Sequence, residues 1–160
     1  MSLFEHSSFQ YRETCFVLFP KENRPKLNSV TEAIESLGDR YKLGESESND
    51  EGYLESISVF CPNDHAALDI SYLDGEDVSE HLEELSEEFP SDSLEQSERE
   101  KWNKAQSFSA RIDLFHFEEV SSEMESDEGL LDPGAMLVIL QTIANLTGRV
   151  GVDPSAGTVV

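Results

Sequence analysis

The four histidines are the side chains best suited to proton transfer near neutral pH: His6, His65, His81 and His116. No two of them have the spacing that brings metal ligands together on a helix. His116 lies in an apolar stretch between Asp113 and Glu118, and residues two apart on a strand share one face. Glu118 therefore shares the face of His116, and Asp113 is close to it in the same stretch. A pair of His116 with Asp113 or Glu118 is the candidate catalytic site, although no recognised motif accompanies it.

Two carboxylate-rich segments, 74–77 and 123–128, contain oxygen ligands of the kind that calcium prefers. Neither has the alternating acids, central glycine and twelfth-position glutamate of an EF-hand loop. The chain also lacks a phosphate-binding glycine loop, a nucleophile elbow, a zinc-protease motif and a CxxC pair. We therefore expect no dedicated metal site and no cofactor, and a binding role is favoured over an enzymatic one.

Acidity is the most unusual property of the sequence, since its 160 residues have a formal net charge of −23. A domain of this size is comfortable at a magnitude of roughly 2–8. Residues 1–43 contain equal numbers of acidic and basic side chains, and the excess lies in 45–55, 74–100 and 118–132. Charge segregated in this way predicts a one-sided acidic surface and not a uniform coat.

The acidic surface has two interpretations besides the enzyme alternative around His116. One is a non-enzymatic protein–protein interaction module, immunity- or inhibitor-like, whose acidic face speeds its encounter with a basic partner. The candidate contacts are the glutamates of a predicted helix: Glu80, Glu83, Glu84, Glu87 and Glu88. The other is a salt-adapted protein of unknown role with a repulsive, solvated surface. Direct binding to nucleic acid is disfavoured, because affinity for phosphates depends on cations that are scarce here.

Hydrophobic periodicity predicts the elements that must position these side chains. The apolar run 14–19 is typical of a strand buried on both faces. Ser29 and Glu32 form a capping box that opens a helix, and Gly38 stops it. The same patterns predict a strand at 41–43, an acidic loop at 45–52, a hairpin at 53–60 and 66–73, helices at 77–89 and 93–104, a strand at 107–117, a helix at 132–147 and a terminal hairpin at 149–160.

This order of elements predicts a single α+β domain over 1–160, with a mainly antiparallel sheet and helices packed on one face. An embellished ferredoxin-like arrangement fits the order. Within it, 1–12 is expected to form a mobile tail, 118–131 an acidic loop, and the helix at 132–147 the centre of the core. Phe115 and Phe117 would face away from the helices, and exposed aromatic residues commonly mark an interface. The corresponding hypothesis is a homodimer through that face.

The sequence also indicates a compartment. No apolar run approaches the ~20 residues of a membrane-spanning helix, and the N-terminus lacks the basic and apolar regions of a signal peptide. Cys15 and Cys61 lie in strand-like stretches, which favours buried, reduced thiols over a disulfide. We therefore expect a cytoplasmic protein that does not bind membranes.

Overall fold

The structure, a computed structural model, describes residues 9–62, 65–88, 95–105, 108–119, 134–148, 150–153 and 158–159. Within them the chain has the predicted α+β fold, in which one antiparallel sheet carries four α-helices. The strands are β1 (Phe9–Phe19), β2 (Lys42–Ser48), β3 (Leu54–Cys61), β4 (Ala66–Asp74), β5 (Ala110–Glu119), β6 (Val150–Asp153) and β7 (Thr158–Val159). The helices are α1 (Leu27–Glu35), α2 (Glu76–Glu88), α3 (Gln96–Ala105) and α4 (Gly134–Thr147).

The strand order is β2-β3-β4-β5-β1-β6-β7, and each described pair of neighbours is antiparallel. β2, β3 and β4 form a meander, and β5 enters between β4 and β1. The β5–α4–β6 unit places two parallel strands on either side of β1, as in a split βαβ unit. The β1–α1–β2 connection crosses three strands, so the sheet is wider than a ferredoxin-like one, in which that connection crosses a single strand.

The main core lies on the face of the sheet that bears Cys15, Val17 and Phe19 of β1, called here the α1/α4 face. α1 packs Val30 and Ile34 against it. α4 contributes five further buried side chains, which are Met136, Ile139, Leu140, Ile143 and Ala144. Burying an aliphatic side chain of this size contributes about 1.5–3 kcal/mol, so this face is the main source of stability.

Phe16 and Leu18 point to the opposite side of β1, called here the α2/α3 face, where α2 and α3 cover them. α2 contributes Val78 and Leu82, and α3 contributes Trp102. The sequence predicted helices on one face of the sheet, but the structure has them on both faces. The cause is the composition of β1, because a strand that is apolar at successive positions needs cover on both sides.

α1 begins three residues earlier than its capping signal predicts. Ser29 lies inside the helix, and the N-cap is Lys26, which makes no side-chain capping hydrogen bond. The amide of Leu27 donates instead to the carbonyl of Gly52 at 2.9 Å, which ties the helix start to the entry of β3. Gly38 follows the helix with φ of 112°, the left-handed conformation that the predicted stop requires. Here tertiary hydrogen bonds override a local signal at one end only.

The acidic segment 45–52, predicted as a loop, is half strand. Its first four residues belong to β2, where Glu47 lies opposite Ser56 of β3. Glutamate and serine are not strong strand formers, so β2 owes its conformation to pairing with the apolar strand beside it. β2 is also an outer strand of the sheet, and its charged side chains discourage pairing with other chains.

α4 has an outward face that its sequence did not reveal. Leu137, Val138 and Leu146 are exposed at 39%, 41% and 38%. The helix is thus a layer over the sheet and not the centre of the core, although its composition is apolar on most sides.

Cys15 and Cys61 are buried free thiols, as predicted. In the described part of the chain, no helix has both the length and the apolar character needed to cross a membrane. Residues 9–12 of the expected tail belong to β1, and 118–119 of the expected acidic loop belong to β5. Residues 1–8 and 120–131, the rest of those two segments, lie outside the described residues.

Candidate functional site

His116 lies on the α1/α4 face of β5 and meets a carboxylate that sequence spacing did not identify. Its Nδ1 atom is 3.6 Å from Oε1 of Glu13. The register between β1 and β5 shifts here, since Tyr11 pairs with Phe117 and Glu13 pairs with His116, so that Arg12 is an extra residue. This bulge brings Glu13 to the histidine.

Glu118 shares the face of His116, as the period of a strand predicts, but its charge is engaged elsewhere. Its Oε2 atom is 3.2 Å from Nε of Arg12, the extra residue of the bulge. Asp113, the other predicted partner, lies on the opposite α2/α3 face. The structure therefore brings together His116, Glu13, Arg12 and Glu118, and excludes Asp113 from the group.

The His116 ring is closed to ligands. Its side chain is 0% exposed, and among the described residues neither ring nitrogen has a hydrogen-bond partner. Burial lowers the pKa of His116 below its ordinary value, and the neighbouring Glu13 carboxylate opposes this shift. The imidazole is thus enclosed by the protein in this conformation, and the enzyme alternative around His116 stays a prediction.

The lowered pKa of His116 predicts a loss of stability in acid. The unfolded chain takes up the proton near pH 6.5, before the folded protein does, so stability is full above that pH and falls as the pH drops toward the folded pKa. The slope is at most about 1.4 kcal/mol per pH unit. We expect His116→Gln to remove this component, so that the stability difference between wild type and variant narrows between about pH 7 and 5. Urea unfolding followed by circular dichroism across that range measures it.

Two variants calibrate this result. Glu13→Gln removes the charge that opposes the shift, so the acid loss attributed to His116 should continue to lower pH. His65→Gln alters a histidine that is half exposed and lies 3.9 Å from Glu119. This variant should still show the loss of stability in acid that is attributed to His116. A stability difference between wild type and His116→Gln that stays constant with pH would contradict the assignment.

Asp113 belongs to a second buried polar group, beneath α2. Nε of Arg111 is 2.8 Å from Oδ1 of Asp113, and Nη2 donates to Oδ2 at 3.2 Å. Nη1 of Arg111 donates to Nδ1 of His81, which must be unprotonated to accept from a guanidinium. The guanidinium carbon also lies 5.3 Å from the centre of the Phe16 ring. Arg111 thus joins β5 to α2 and β1.

Burial dominates the electrostatics of this group. It raises the pKa of Asp113 above its ordinary value, and Arg111 opposes the shift. Arg111 and Asp113 are 9% and 6% exposed. Arg111 and Asp113 form a packed ion pair, and the contact of Arg111 with His81 holds α2 on the sheet. This group therefore stabilises the fold.

The acidic face predicted on α2 is present where its side chains are described. Glu80, Glu83 and Glu84 are exposed, while Val78 and Leu82 pack inward. Glu87 and Glu88 belong to the helix, but their side chains lie outside the described part. α2 therefore turns carboxylates outward on the α2/α3 side of the sheet.

A cleft of about 230 Å³ opens on the exposed surface of β2, β3 and β4. It is lined by Glu45, Ser46, Glu47, Ser56, Ser58, Asp69 and Ser71, and we call it the serine cleft. Oγ of Ser58 donates to Oδ1 of Asp69 at 2.7 Å, across two paired strands. Ser71 is in turn the register partner of both Ser56 and Asp113. The cleft therefore lies on the α2/α3 face, the same side as α2.

The sequence held a signal for the serine cleft. Residues 56–59 alternate serine with isoleucine and valine, and 68–71 alternate leucine and isoleucine with Asp69 and Ser71. Because the two strands form one hairpin, their polar phases share one face. The contribution of β2 was not predictable, since Glu45 and Glu47 stood in what the sequence suggested was a loop.

Phe115 and Phe117 lie on the α2/α3 face, opposite the main core, as predicted. Phe117 is only 1% exposed, because it packs in a cluster with Phe9, Phe60 and Phe115. Tyr11 covers it further, with ring centroids 5.9 Å apart. The expectation that both phenylalanines are exposed is thus wrong, since Phe117 is buried and Phe115 is half-buried. The homodimer through this face stays a prediction.

Neither the described side chains nor the comparisons with known proteins indicate a ligand. Among the described residues, no group of three or more histidine, cysteine, aspartate or glutamate side chains is arranged to hold a metal ion. A scan against protein-family models, a search of curated proteins and a search of solved structures each give no match. The surface of the chain itself is therefore the guide to its function.

Proposed function

We propose that this protein is a non-enzymatic interaction module that binds a basic protein through the acidic side formed by α2 and the serine cleft. The observation that supports it is the position of exposed carboxylates on one side of the sheet. Glu80 and Glu84 on α2 and Glu47 on β2 have no ion-pair partner among the described residues. An immunity- or inhibitor-like role fits such a surface, because clustered negative charge speeds association with a basic partner.

Two basic side chains on the α1/α4 side of the sheet are engaged in contacts there. Arg24 lies 3.8 Å over the Tyr72 ring and donates to the Leu54 carbonyl at 2.8 Å. Lys26 donates to the Glu51 carbonyl at 2.8 Å. These contacts hold both cations against rings and backbone on the face opposite α2. The two buried free thiols favour a reducing compartment, so the cytoplasm is the proposed location.

The test is a matched pair of charge-neutralised variants. Glu80→Gln, Glu83→Gln and Glu84→Gln are combined on α2, and Glu22→Gln, Glu32→Gln and Glu35→Gln are combined at three exposed acids around α1. The α2 variant should associate with a captured basic partner about tenfold or more slowly, and the α1 variant should behave as wild type. Surface plasmon resonance at low and at about 0.5 M salt measures both rates.

Two outcomes would contradict the proposal. In one, both triple variants slow association equally, which would mean that only net charge matters. In the other, capture recovers nothing beyond abundant basic proteins such as histones, and the melting temperature rises steadily with salt. That second pattern is the behaviour of a salt-adapted surface without a specific partner.

A further inference from the structure

A hydrogen bond that only a neutral histidine can accept joins α2 to the sheet. Nη1 of Arg111, on β5, meets Nδ1 of His81, on α2. A guanidinium has donors and no acceptor, so Nδ1 must present its lone pair and the ring must be unprotonated. We propose that His81 is a pH-sensitive latch, which holds α2 on the sheet while it is neutral and releases that contact when it binds a proton. The latch needs no partner, so it can be tested separately from the proposed function.

Arg111 is held in place by contacts that do not involve His81. Its Nε atom lies 2.8 Å from Oδ1 of Asp113, and Nη2 donates to Oδ2 of the same carboxylate at 3.2 Å. The guanidinium carbon lies 5.3 Å from the centre of the Phe16 ring. These contacts fix the guanidinium on the sheet. When a protonated His81 and Arg111 repel each other, the part that moves is therefore the histidine, together with the helix that carries it.

The groups that face His81 from other elements determine its response to a proton. β5 supplies Arg111, which repels a charged ring, and Asp113, whose carboxylate is already engaged by Arg111. β1 supplies the uncharged Phe16, at 6.1 Å between ring centroids, while β4 and α3 add the uncharged Leu73 and Trp102 to the same cluster. The described charged side chains of α3, none of them buried, are Glu98, Arg99, Glu100, Lys101 and Lys104.

α2 itself offers a protonated His81 a favourable place at its outer surface. Asp77 and Glu84 are exposed. They lie four residues before and three residues after His81, the spacings at which side chains on a helix are neighbours. The ring is half-buried, so a rotation of the side chain carries it toward these carboxylates. The neutral ring is stabilised at Arg111 and the charged ring at the surface, which gives the latch two states.

α2 is sensitive to the loss of this contact because few described side chains anchor it. Val78 and Leu82 are its described buried residues, and a helix of 13 residues is marginal by itself in water. Its start is tied down separately, since the amide of Gly75 donates to the carbonyl of Ser109 at 3.1 Å. Release of His81 should therefore loosen α2 from its middle onward and leave the first turn attached.

The experiment follows the full chain, labelled with ¹⁵N, between about pH 7.5 and 5, where histidines titrate. His116→Gln is the background, because it removes the other buried histidine. The amide signals of residues 80–84 should shift with the same midpoint as the ring signals of His81. Their protection from hydrogen exchange, corrected for the intrinsic effect of pH, should fall about tenfold, while the amides of β5 keep theirs. The agreement of midpoints is also measured in the wild type, where it needs no variant.

Two substitutions at position 81 remove the titration in opposite ways. His81→Gln supplies a carbonyl oxygen that accepts from Arg111 at every pH, so α2 should stay protected down to about pH 5. His81→Leu has no acceptor, so α2 should show the reduced protection at both ends of the range. His65→Gln alters a histidine beside Glu119 and is the matched control, in which the pH dependence of α2 should remain.

Three results would each overturn the latch. The amides of α2 could stay unchanged while the His81 ring titrates, or the tenfold fall in protection could persist in both His81→Gln and His81→Leu. An equal fall in β5 would show that the proton acts on global stability and not on α2. A basic partner that ignores the triple variant of α2 would refute the proposed function and leave the latch intact, because none of these measurements involves a partner.

Discussion

Replacing Arg111 by alanine should lower the free energy of unfolding by about 3–5 kcal/mol, the cost of leaving one partner of a buried ion pair alone. Asp113 is 6% exposed, and both its described close contacts are with the guanidinium: an ion-pair contact at Oδ1 and a hydrogen bond accepted by Oδ2. Without Arg111 its carboxylate has no cation at this distance. α2 also loses the contact between Arg111 and His81, so the helix is less firmly held on the sheet.

The pH dependence of this loss has a defined sign. Burial already raises the pKa of Asp113 in the wild type, against the opposing effect of Arg111. Removing Arg111 raises that pKa further. The folded variant then binds the proton more readily than its unfolded chain does, so its stability is greatest in acid and falls as the pH rises through the folded pKa. The difference from wild type should therefore be largest near neutral pH and smaller near pH 4.

A double variant separates the ion pair from the space that it fills. Arg111→Met with Asp113→Leu replaces both charges by apolar groups, and such replacements are often neutral or stabilising. We expect it to recover most of the stability lost by Arg111→Ala. Urea unfolding followed by the fluorescence of Trp102, the chain's one tryptophan, gives the comparison. A loss below about 1 kcal/mol in the single variant would show that the pair is solvated and not buried.

The sequence predicted the elements of this fold better than it predicted what they bring together. Period-two and helical patterns are local, and they placed the strand at 14–19, the hairpin around 61–65 and the helix at 77–89 close to their observed positions. The same locality explains the acidic surface of α2, since the contrast between Val78 and Leu82 on one side and Glu80 and Glu84 on the other is readable from spacing alone.

The sequence did not predict the register between strands that are distant in the chain. Glu13 and His116 meet because β1 and β5 pair with a bulge at Arg12, and no local pattern encodes that partner. Asp113 was grouped with His116 by proximity in sequence, but a strand places residues three apart on opposite faces. Asp113 and His116 therefore do not meet, because the folded register decides which side chains share a face.

The Trp102→Ala variant should show how weakly α3 holds to the rest of the protein. Trp102 is 2% exposed, and it is the only buried side chain among those described in α3. Truncating a buried tryptophan costs about 3–5 kcal/mol. A ten-residue helix is marginal by itself in water, so the loss should appear first as local unfolding of α3, before the sheet is affected.

Hydrogen exchange distinguishes local from global loss. In Trp102→Ala the amides of α3 should exchange through local opening, while those of β1 and β5 stay protected up to the reduced global stability. Trp102→Phe keeps an aromatic ring against Phe16 and Val78, both members of the same cluster, and should retain most of the protection. If the α3 amides of Trp102→Ala exchange only when the amides of β1 and β5 do, other contacts must anchor the helix. If α3 does detach, the charged surface on this side loses its support next to α2, and association with a basic partner should weaken although every glutamate of α2 is intact.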